Sequence, residues 1–306
     1  MTGRFMRAAI LGIALAALAQ GASAQEAVRV ASKIDTEGSL LGNMIIATLE
    51  AKGIKTQAKL QLGPTKIVRE AILAGEIDLY PEYTGNGAFF FNADTDPAWK
   101  NGKSGFEKVK ALDAEKNKLV WLEPSPANNT WAIALRQDVA SANKLASMAD
   151  FAKWVSGGGK VKLAASAEFV ESPAALPSFL KTYNFKLNAD QILTLAGGNT
   201  SATERAAAEQ TSGVNAAMAY GTDGTIATLG LVVMSDPQGA QIVYEPAPVV
   251  RAAVLEKHPA IKEALAPVFA ALDLKTLQAL NGKIAVDGQD AKQVAAAWLK
   301  EKGFLK

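Results

Sequence analysis

Hydrophobic positions in the N-terminal third of the chain alternate between the period of a strand and the period of a helix. Apolar residues alternate over Val28 to Ser32, recur at helical spacing from Leu40 to Leu49, and stop at Gly53. The pattern predicts strand, helix, strand, helix and strand over 28–32, 40–49, 56–62, 65–73 and 77–80. This order is typical of a βαβαβ unit.

The remaining chain repeats this kind of alternation, without a detectable sequence repeat. Strands are predicted over 130–135, 161–165, 214–220 and 241–244, and helices over 148–155, 174–183, 203–210, 260–272, 274–280 and 291–302. Proline and glycine interrupt the pattern at Glu123–Ala127 and Ser235–Gly239, where we expect the chain to cross between lobes. We therefore predict an α/β protein with lobe 1 over 25–127 and 238–306 and lobe 2 over 128–237. A hinged cleft would separate the lobes.

The first 24 residues are typical of a secretory signal peptide. Arg4 and Arg7 precede an apolar run from Ala8 to Ala19, and Ala22-Ser23-Ala24 offers small residues for cleavage before Gln25. The apolar run is shorter than the roughly 20 residues of a spanning helix. We expect cleavage after Ala24, export and a periplasmic location.

Composition narrows the possible functions. The net charge is +2 and basic residues are scattered, which argues against nucleic acid as a partner. The chain has no cysteine, so its stability must come from burial instead of disulfides.

Aromatic residues gather in turn-rich segments near predicted strand ends. Tyr83 lies in the loop Tyr80–Gly87, Trp131 follows Asn128-Asn129-Thr130, and Tyr220 and Tyr244 adjoin glycine or proline. A quaternary ammonium group cannot donate a hydrogen bond, and an aromatic face attracts it by roughly 0.5–2 kcal/mol. These four rings are therefore a candidate cage. Tyrosines that close the end of a sheet are the alternative interpretation.

Polar candidates accompany the rings. Lys33 in the first βα turn pairs with a ligand carboxylate or lies in solvent, and Asn129 orients a ligand or forms an Asx turn. Asp35, Asn86 and Asp223 complete the candidate ligand-binding set.

Catalytic signatures are absent from the sequence. There is no serine-hydrolase motif, phosphate-binding loop or metal-ligand spacing, and the only histidine, His258, is interpreted as a surface residue. The carboxylates of Asp35 and Glu37 are interpreted as a solvated turn, and Phe89-Phe90-Phe91 as core. No catalytic residue, metal or cofactor is predicted.

Several segments together resemble the substrate-binding proteins of ABC transporters for glycine betaine, choline and related quaternary amines. The resemblance covers essentially the whole mature chain. It is carried by the segments 32–38, 75–87, 128–131, 168–177 and 215–224. It implies a type II two-lobed periplasmic-binding-protein fold, an aromatic cage of Tyr83, Trp131, Tyr220 and Tyr244, delivery of the ligand to an ABC permease in the inner membrane, and a monomer.

The chain departs from the family pattern at polar positions. Asn86 replaces threonine, Gly38 replaces glutamine, and an arginine that grips the betaine carboxylate in some relatives is replaced near Ser172. Loss of that arginine removes a bidentate contact, so the ligand is either bound weakly or lacks a carboxylate, as choline does. Two other functions stay open: a binder of an amino acid or other polar solute, and an exported enzyme using Asp35, Glu82 or Asp223.

Overall fold

The computed structural model describes residues 26–195 and 200–305, so the predicted signal peptide over 1–24 lies outside the described residues. Its strands are β1 Val28–Lys33, β2 Thr56–Gly63, β3 Leu79–Tyr83, β4 Leu119–Trp121, β5 Trp131–Arg136, β6 Leu163–Ser166, β7 Ile192–Leu195, β8 Ala216–Tyr220, β9 Leu231–Val233 and β10 Pro246–Arg251.

The α-helices lie between these strands along the chain, and the last four follow β10. They are α1 Thr36–Ala51, α2 Thr65–Leu73, α3 Gly87–Phe90, α4 Gly102–Asn117, α5 Gln137–Asn143, α6 Met148–Ser156, α7 Ala167–Glu171, α8 Leu176–Thr182, α9 Thr200–Ala208, α10 Thr225–Thr228, α11 Ala252–Lys257, α12 Ala260–Ala270, α13 Leu274–Ala285 and α14 Ala291–Glu301.

The strands form two five-stranded sheets, which define the two lobes. In lobe 1 the order is β2-β1-β3-β10-β4, with β10 antiparallel to both neighbours and the other pairs parallel. In lobe 2 the order is β7-β6-β8-β5-β9, with β5 antiparallel to both neighbours. The predicted α/β, two-lobed fold is confirmed.

Each sheet has hydrophobic clusters of its own. In lobe 1, α1 packs on the strands and α12 to α14 pack against α1, through residues such as Leu41, Ile45, Leu265 and Trp298. In lobe 2, Phe151, Phe169 and Phe179 belong to the main cluster. Because each lobe is stabilised by its own burial, a ligand site between them need not be part of a core.

Two segments join the lobes and run side by side. The first, 122–130, follows β4, and the second, 234–245, follows β9. The amide of Asn129 donates to the carbonyl of Tyr244 at 2.9 Å, and the Thr130 hydroxyl donates to the carbonyl of Ile242 at 2.7 Å. These crossovers include the two predicted crossings, at Glu123–Ala127 and Ser235–Gly239. The lobe boundaries at 127/128 and 237/238 stay predictions.

The strand predicted over 241–244 is wrong, because that segment is part of the second crossover. The strand is β10, which begins at Pro246 and contains Pro248. Both proline carbonyls accept from the first crossover, Pro246 from the amide of Ser125 and Pro248 from that of Leu122. On the side of β10 that faces β4, the strand pairing covers only Val249 to Arg251. No strand partner on this side therefore needs the N–H that Pro246 and Pro248 lack.

His258 is buried, at 7% exposure, and not on the surface as interpreted from the sequence. In the described ranges, no helix combines the length and apolar character that crossing a bilayer requires.

Candidate functional site

A cavity of about 670 Å³ lies between the lobes and the two crossovers. All the residues of the predicted ligand-binding set line it: Lys33, Asp35, Tyr83, Asn86, Asn129, Trp131, Tyr220, Asp223 and Tyr244. The structure thus brings together side chains that are spread over more than two hundred positions of the sequence. Their contact with a ligand stays a prediction.

Lobe 2 contributes a stacked aromatic pair. Trp131 begins β5 and Tyr220 ends β8, and the antiparallel register places them opposite each other. Their ring centroids are 6.4 Å apart with an interplanar angle of 17°, and Phe169 meets Trp131 edge-on at 5.9 Å. Tyr220 is 36% exposed, so part of its ring is open to the cavity.

Lobe 1 contributes Tyr83, the last residue of β3. Its hydroxyl donates to Glu37 Oε1 at 2.7 Å, and its side chain is almost fully buried. Burial and the nearby charge of Glu37 hold the pKa of Tyr83 well above its ordinary value. The phenol therefore keeps its proton and its orientation at neutral pH.

Tyr244 lies in the second crossover, where the first crossover fixes its backbone. Its amide donates to Asn128 Oδ1 at 2.8 Å. Gly85 packs against the same segment so closely that an added Cβ would lie 2.7 Å from the carbonyl oxygen of Val243 and 2.8 Å from the Tyr244 ring. A side chain at position 85 would therefore displace Tyr244 from the cavity wall.

Lys33 is buried and forms an ion pair with Glu82. Its Nζ is 2.5 Å from Glu82 Oε1 and 4.7 Å from the centroid of the Tyr83 ring. Glu82 is fully buried and also accepts from Asn86 Nδ2 at 2.7 Å. A ligand carboxylate would have to compete with Glu82 for Lys33. Glu82 itself, one of the acid/base candidates of the enzyme alternative, is already occupied by hydrogen-bond donors.

Asp35 and Asp223 each hold backbone next to the cavity. Asp35 Oδ1 caps α1 by accepting from the amide of Gly38 at 2.7 Å. Asp223 Oδ2 accepts from the amide of Tyr220 at 2.7 Å, which fixes the end of β8. Both carboxylates therefore have structural partners in addition to their place on the cavity wall.

Glu204 lies behind Asp223 and is fully buried. Its Oε2 accepts from the Thr225 hydroxyl. Burial, together with the charge of Asp223, raises the pKa of Glu204 to about 10. Glu204 therefore keeps its proton at neutral pH and donates a hydrogen bond to Asp223.

The cavity is also lined by residues outside the predicted ligand-binding set, among them Glu37, Phe89 and Asn281. Glu37 is buried at 4% exposure, so the solvated-turn interpretation is wrong for it, although Asp35 is exposed. Phe89 is 54% exposed and lines the cavity instead of joining the core. Strand-end tyrosines are visible in the sequence, whereas the placement of Glu37 and Asn281 depends on contacts with distant segments.

The charge on the cavity wall suits a cation. The wall carries Asp35, Glu37 and Asp223, and within the described part of the chain its basic residue is Lys33, which is paired with Glu82. No cluster of His, Asp or Glu that could hold a metal ion occurs among the described residues. Aromatic faces beside carboxylates favour binding of a small organic cation.

The chain matches the family model described as the substrate-binding domain of the ABC-type glycine betaine transport system over residues 26–301. It is 61% identical over 294 residues to the glycine betaine-binding protein YehZ of Escherichia coli K12, covering 96% of both chains. It is 28% identical to a glycine-betaine-binding protein of Pseudomonas aeruginosa, covering 97% of this chain and 93% of the relative.

A solved structure of apo YehZ from Escherichia coli has the same fold. It superposes with a TM-score of 0.88 at 62% identity, covering 91% of this chain and 99% of the solved one.

Proposed function

Since the chain belongs to the family of substrate-binding domains of ABC-type glycine betaine transport systems, we propose that its cavity encloses a quaternary amine and delivers it to a membrane permease. The observation that carries the proposal is the meeting of Tyr83, Trp131, Tyr220 and Tyr244 on the wall of one cavity between two lobes. The protein acts as a solute-binding component and not as an enzyme. It works as a periplasmic monomer after cleavage following Ala24.

The methylated head of the ligand accounts for the rings. A trimethylammonium group offers no N–H, so it is attracted by π faces at roughly 0.5–2 kcal/mol each. The stacked pair of Trp131 and Tyr220 supplies the lobe 2 side, while Tyr83 supplies the lobe 1 side. Closure of the lobes around the head would remove it from water and strengthen these contacts.

Glycine betaine is a ligand to test because the Escherichia coli relative is named for it. Choline is the useful comparison, because it has the same trimethylammonium head but carries a hydroxyl where glycine betaine carries a carboxylate. Lys33 is already paired with Glu82, so the carboxylate of glycine betaine would have to compete with Glu82 for this lysine. We therefore expect Lys33 to make the protein's affinity for glycine betaine little higher than its affinity for choline.

Calorimetric titration with glycine betaine, choline and 3,3-dimethyl-1-butanol tests the proposal. The last compound replaces the nitrogen of choline with carbon and so keeps the shape without the charge. We expect at least one of the two quaternary amines to bind and the compound without an ammonium group to bind far more weakly, or not at all. Absence of heat with both quaternary amines, or equal affinity for the compound without the ammonium group, would contradict the proposal.

Substitution of one ring tests the cage. Tyr220→Leu removes a π face while keeping an apolar side chain, and we expect the dissociation constant to rise about 2- to 30-fold. Phe304→Leu is the matched control, because Phe304 is half-buried against Trp298 and does not line the cavity. Equal affinity of Tyr220→Leu and Phe304→Leu would remove Tyr220 from the site.

A further inference from the structure

Glu37 is a buried carboxylate at which three parts of the molecule meet. Tyr83 on β3 donates to Oε1 at 2.7 Å, Asn129 in the first crossover donates to Oε1 at 3.3 Å, and Asn281 on α13 donates to Oε2 at 2.6 Å. Tyr83, Asn129 and Asn281 all line the cavity. One acidic side chain therefore sets the orientation of three others on the cavity wall.

The same contacts reach lobe 2. Asn281 Nδ2 also donates to the backbone carbonyl of Thr222 at 2.9 Å, in the turn that follows Tyr220 and β8. Glu37 lies in the first turn of α1, where the helix dipole favours a negative charge. The carboxylate thus joins the Tyr83 side of the cavity to the Tyr220 side through a single amide.

We propose that Glu37, in its ionised form, is a positioning residue for ligand binding and makes the affinity for a quaternary amine depend on pH. The inference depends on the proposed function, since it concerns the same cavity. An ionised carboxylate accepts from all three donors. When the Glu37 carboxyl group is protonated, one of its oxygens becomes a hydrogen-bond donor. One of the donors on Tyr83, Asn129 or Asn281 then loses its acceptor.

Glu37 is surrounded by one like charge, one phenol and several uncharged polar groups. Asp35 lies on the same turn and adds a like charge, and Tyr83 faces it from β3. The first crossover and α13 face it with amides, and lobe 2 faces it with Thr222. Further along the cavity wall, Lys33 is paired with Glu82, and Asp223 accepts from protonated Glu204.

Burial raises the pKa of Glu37 to about 6, against the opposing effect of its hydrogen bonds with Thr222, Tyr83 and Asn281. The carboxylate is therefore ionised above neutral pH and protonated in mild acid. A cation in the cavity binds best to the ionised form, so its affinity falls as the pH drops through about 6.

The test is the dissociation constant of choline and of glycine betaine from about pH 5 to about pH 8, a range in which neither ligand titrates. For the wild-type protein we expect a plateau above neutral pH and a several-fold loss of affinity by the acid end, approaching tenfold per pH unit at most. A flat profile would overturn the inference while leaving the proposed function in place. Lack of binding at both ends of the range would remove both.

Glu37→Gln should bind more weakly at neutral pH and lose the pH step, because an amide cannot titrate. Glu115→Gln, which removes an exposed carboxylate on α4, is the matched control and should keep both the affinity and the step. Asp223→Asn should keep the step. A step that persists in Glu37→Gln, or disappears in Asp223→Asn, would assign the titration to another group.

Tyr83→Phe provides a test that does not depend on the folding of Glu37→Gln. Removal of the phenol takes away one hydrogen bond to ionised Glu37, which raises the pKa of Glu37 further. The midpoint of the pH step should then move to higher pH, whatever the loss of absolute affinity. An unchanged midpoint would show that Glu37 is not the titrating group.

Discussion

Glu204 and Asp223 are neighbouring acids beside the lobe 2 wall of the cavity. Glu204 is fully buried, and Asp223 in turn fixes the backbone of Tyr220 at 2.7 Å. Two carboxylates in contact cannot both ionise at low cost, so Glu204 holds its proton, with its pKa raised to about 10 by burial and by Asp223. The protonated acid thereby anchors a side chain that positions one of the rings.

Replacement of Glu204 by glutamine should stabilise the protein at alkaline pH. An unfolded glutamate loses its proton near pH 4.5, whereas folded Glu204 retains it to about pH 10. Between these values the folded state binds more protons, so the free energy of unfolding falls as pH rises, by up to about 1.4 kcal/mol per pH unit. Glu204→Gln keeps a donor for Asp223 and removes this loss.

Thermal unfolding of the two proteins at about pH 4 and about pH 8 is the measurement. The melting temperatures should be similar in acid, and that of Glu204→Gln should be higher at the alkaline pH. Glu209→Gln, an exposed neighbour, serves as the control for removal of a charge. A variant less stable than wild type at alkaline pH would contradict a protonated Glu204.

Residues differ in how far the sequence reveals their role. Tyr83, Trp131 and Tyr220 stand next to turns at predicted strand ends, and local pattern is enough to place them near the mouth of a cleft. Glu37 stands in an equally polar turn, but its burial depends on partners 46, 92 and 244 positions away in the chain. A local pattern contains no information about contacts at such separations.

At the scale of elements, the N-terminus of α1 shows how a polar turn can serve a helix and a cavity together. Asp35 has extended backbone and caps the helix through the amide of Gly38. The two residues after it begin the helix and bring Glu37 into the interior. Loss of the cap would therefore loosen the turn that carries Glu37.

Asp35→Ala should lower the free energy of unfolding by about 1 kcal/mol, because the amide of Gly38 loses its acceptor. Asp35→Asn should stay within a few tenths of a kcal/mol of wild type, since asparagine is an equally good cap. Chemical denaturation of the three proteins measures both. Equal destabilisation by alanine and asparagine would show that the charge and not the cap stabilises this turn.

The elements predicted best are those that depend on their own sequence. The bounds of α2 coincide with the prediction at Thr65 and Leu73, because proline and glycine bracket an amphipathic segment. β10 was misplaced because Pro246 and Pro248 argue locally against a strand. They are tolerated there because β4 does not extend alongside them, so no strand partner needs the missing proline N–H, and this is a tertiary effect.

At the scale of the whole molecule, the lobes touch beyond the crossovers. An added Cβ at Gly224 in lobe 2 would lie 2.2 Å from the amide nitrogen of Gly282 on α13, so only glycine permits this approach. Gln278 and Asn281 of α13 donate to the carbonyls of Gly221 and Thr222 at 2.7 and 2.9 Å. This contact holds the turn after β8 against lobe 1 and so sets the geometry of one side of the cavity.

The two-lobed class was predictable, whereas this contact between the lobes was not. Alternating strands and helices with two interruptions by proline or glycine are local features, and they indicate two α/β units. The contact joins positions 57 and 59 residues apart, and nothing in either segment alone points to the other. The sequence therefore predicts the two α/β lobes better than it predicts the contact between them.

A crystal structure with bound glycine betaine or choline tests the central claim most directly. We predict the ammonium nitrogen within about 6 Å of the ring centroids of Tyr83, Trp131, Tyr220 and Tyr244, with both lobes in contact with the ligand. A ligand found outside this cavity, or inside it with its methyl groups turned away from the four rings, would contradict the account.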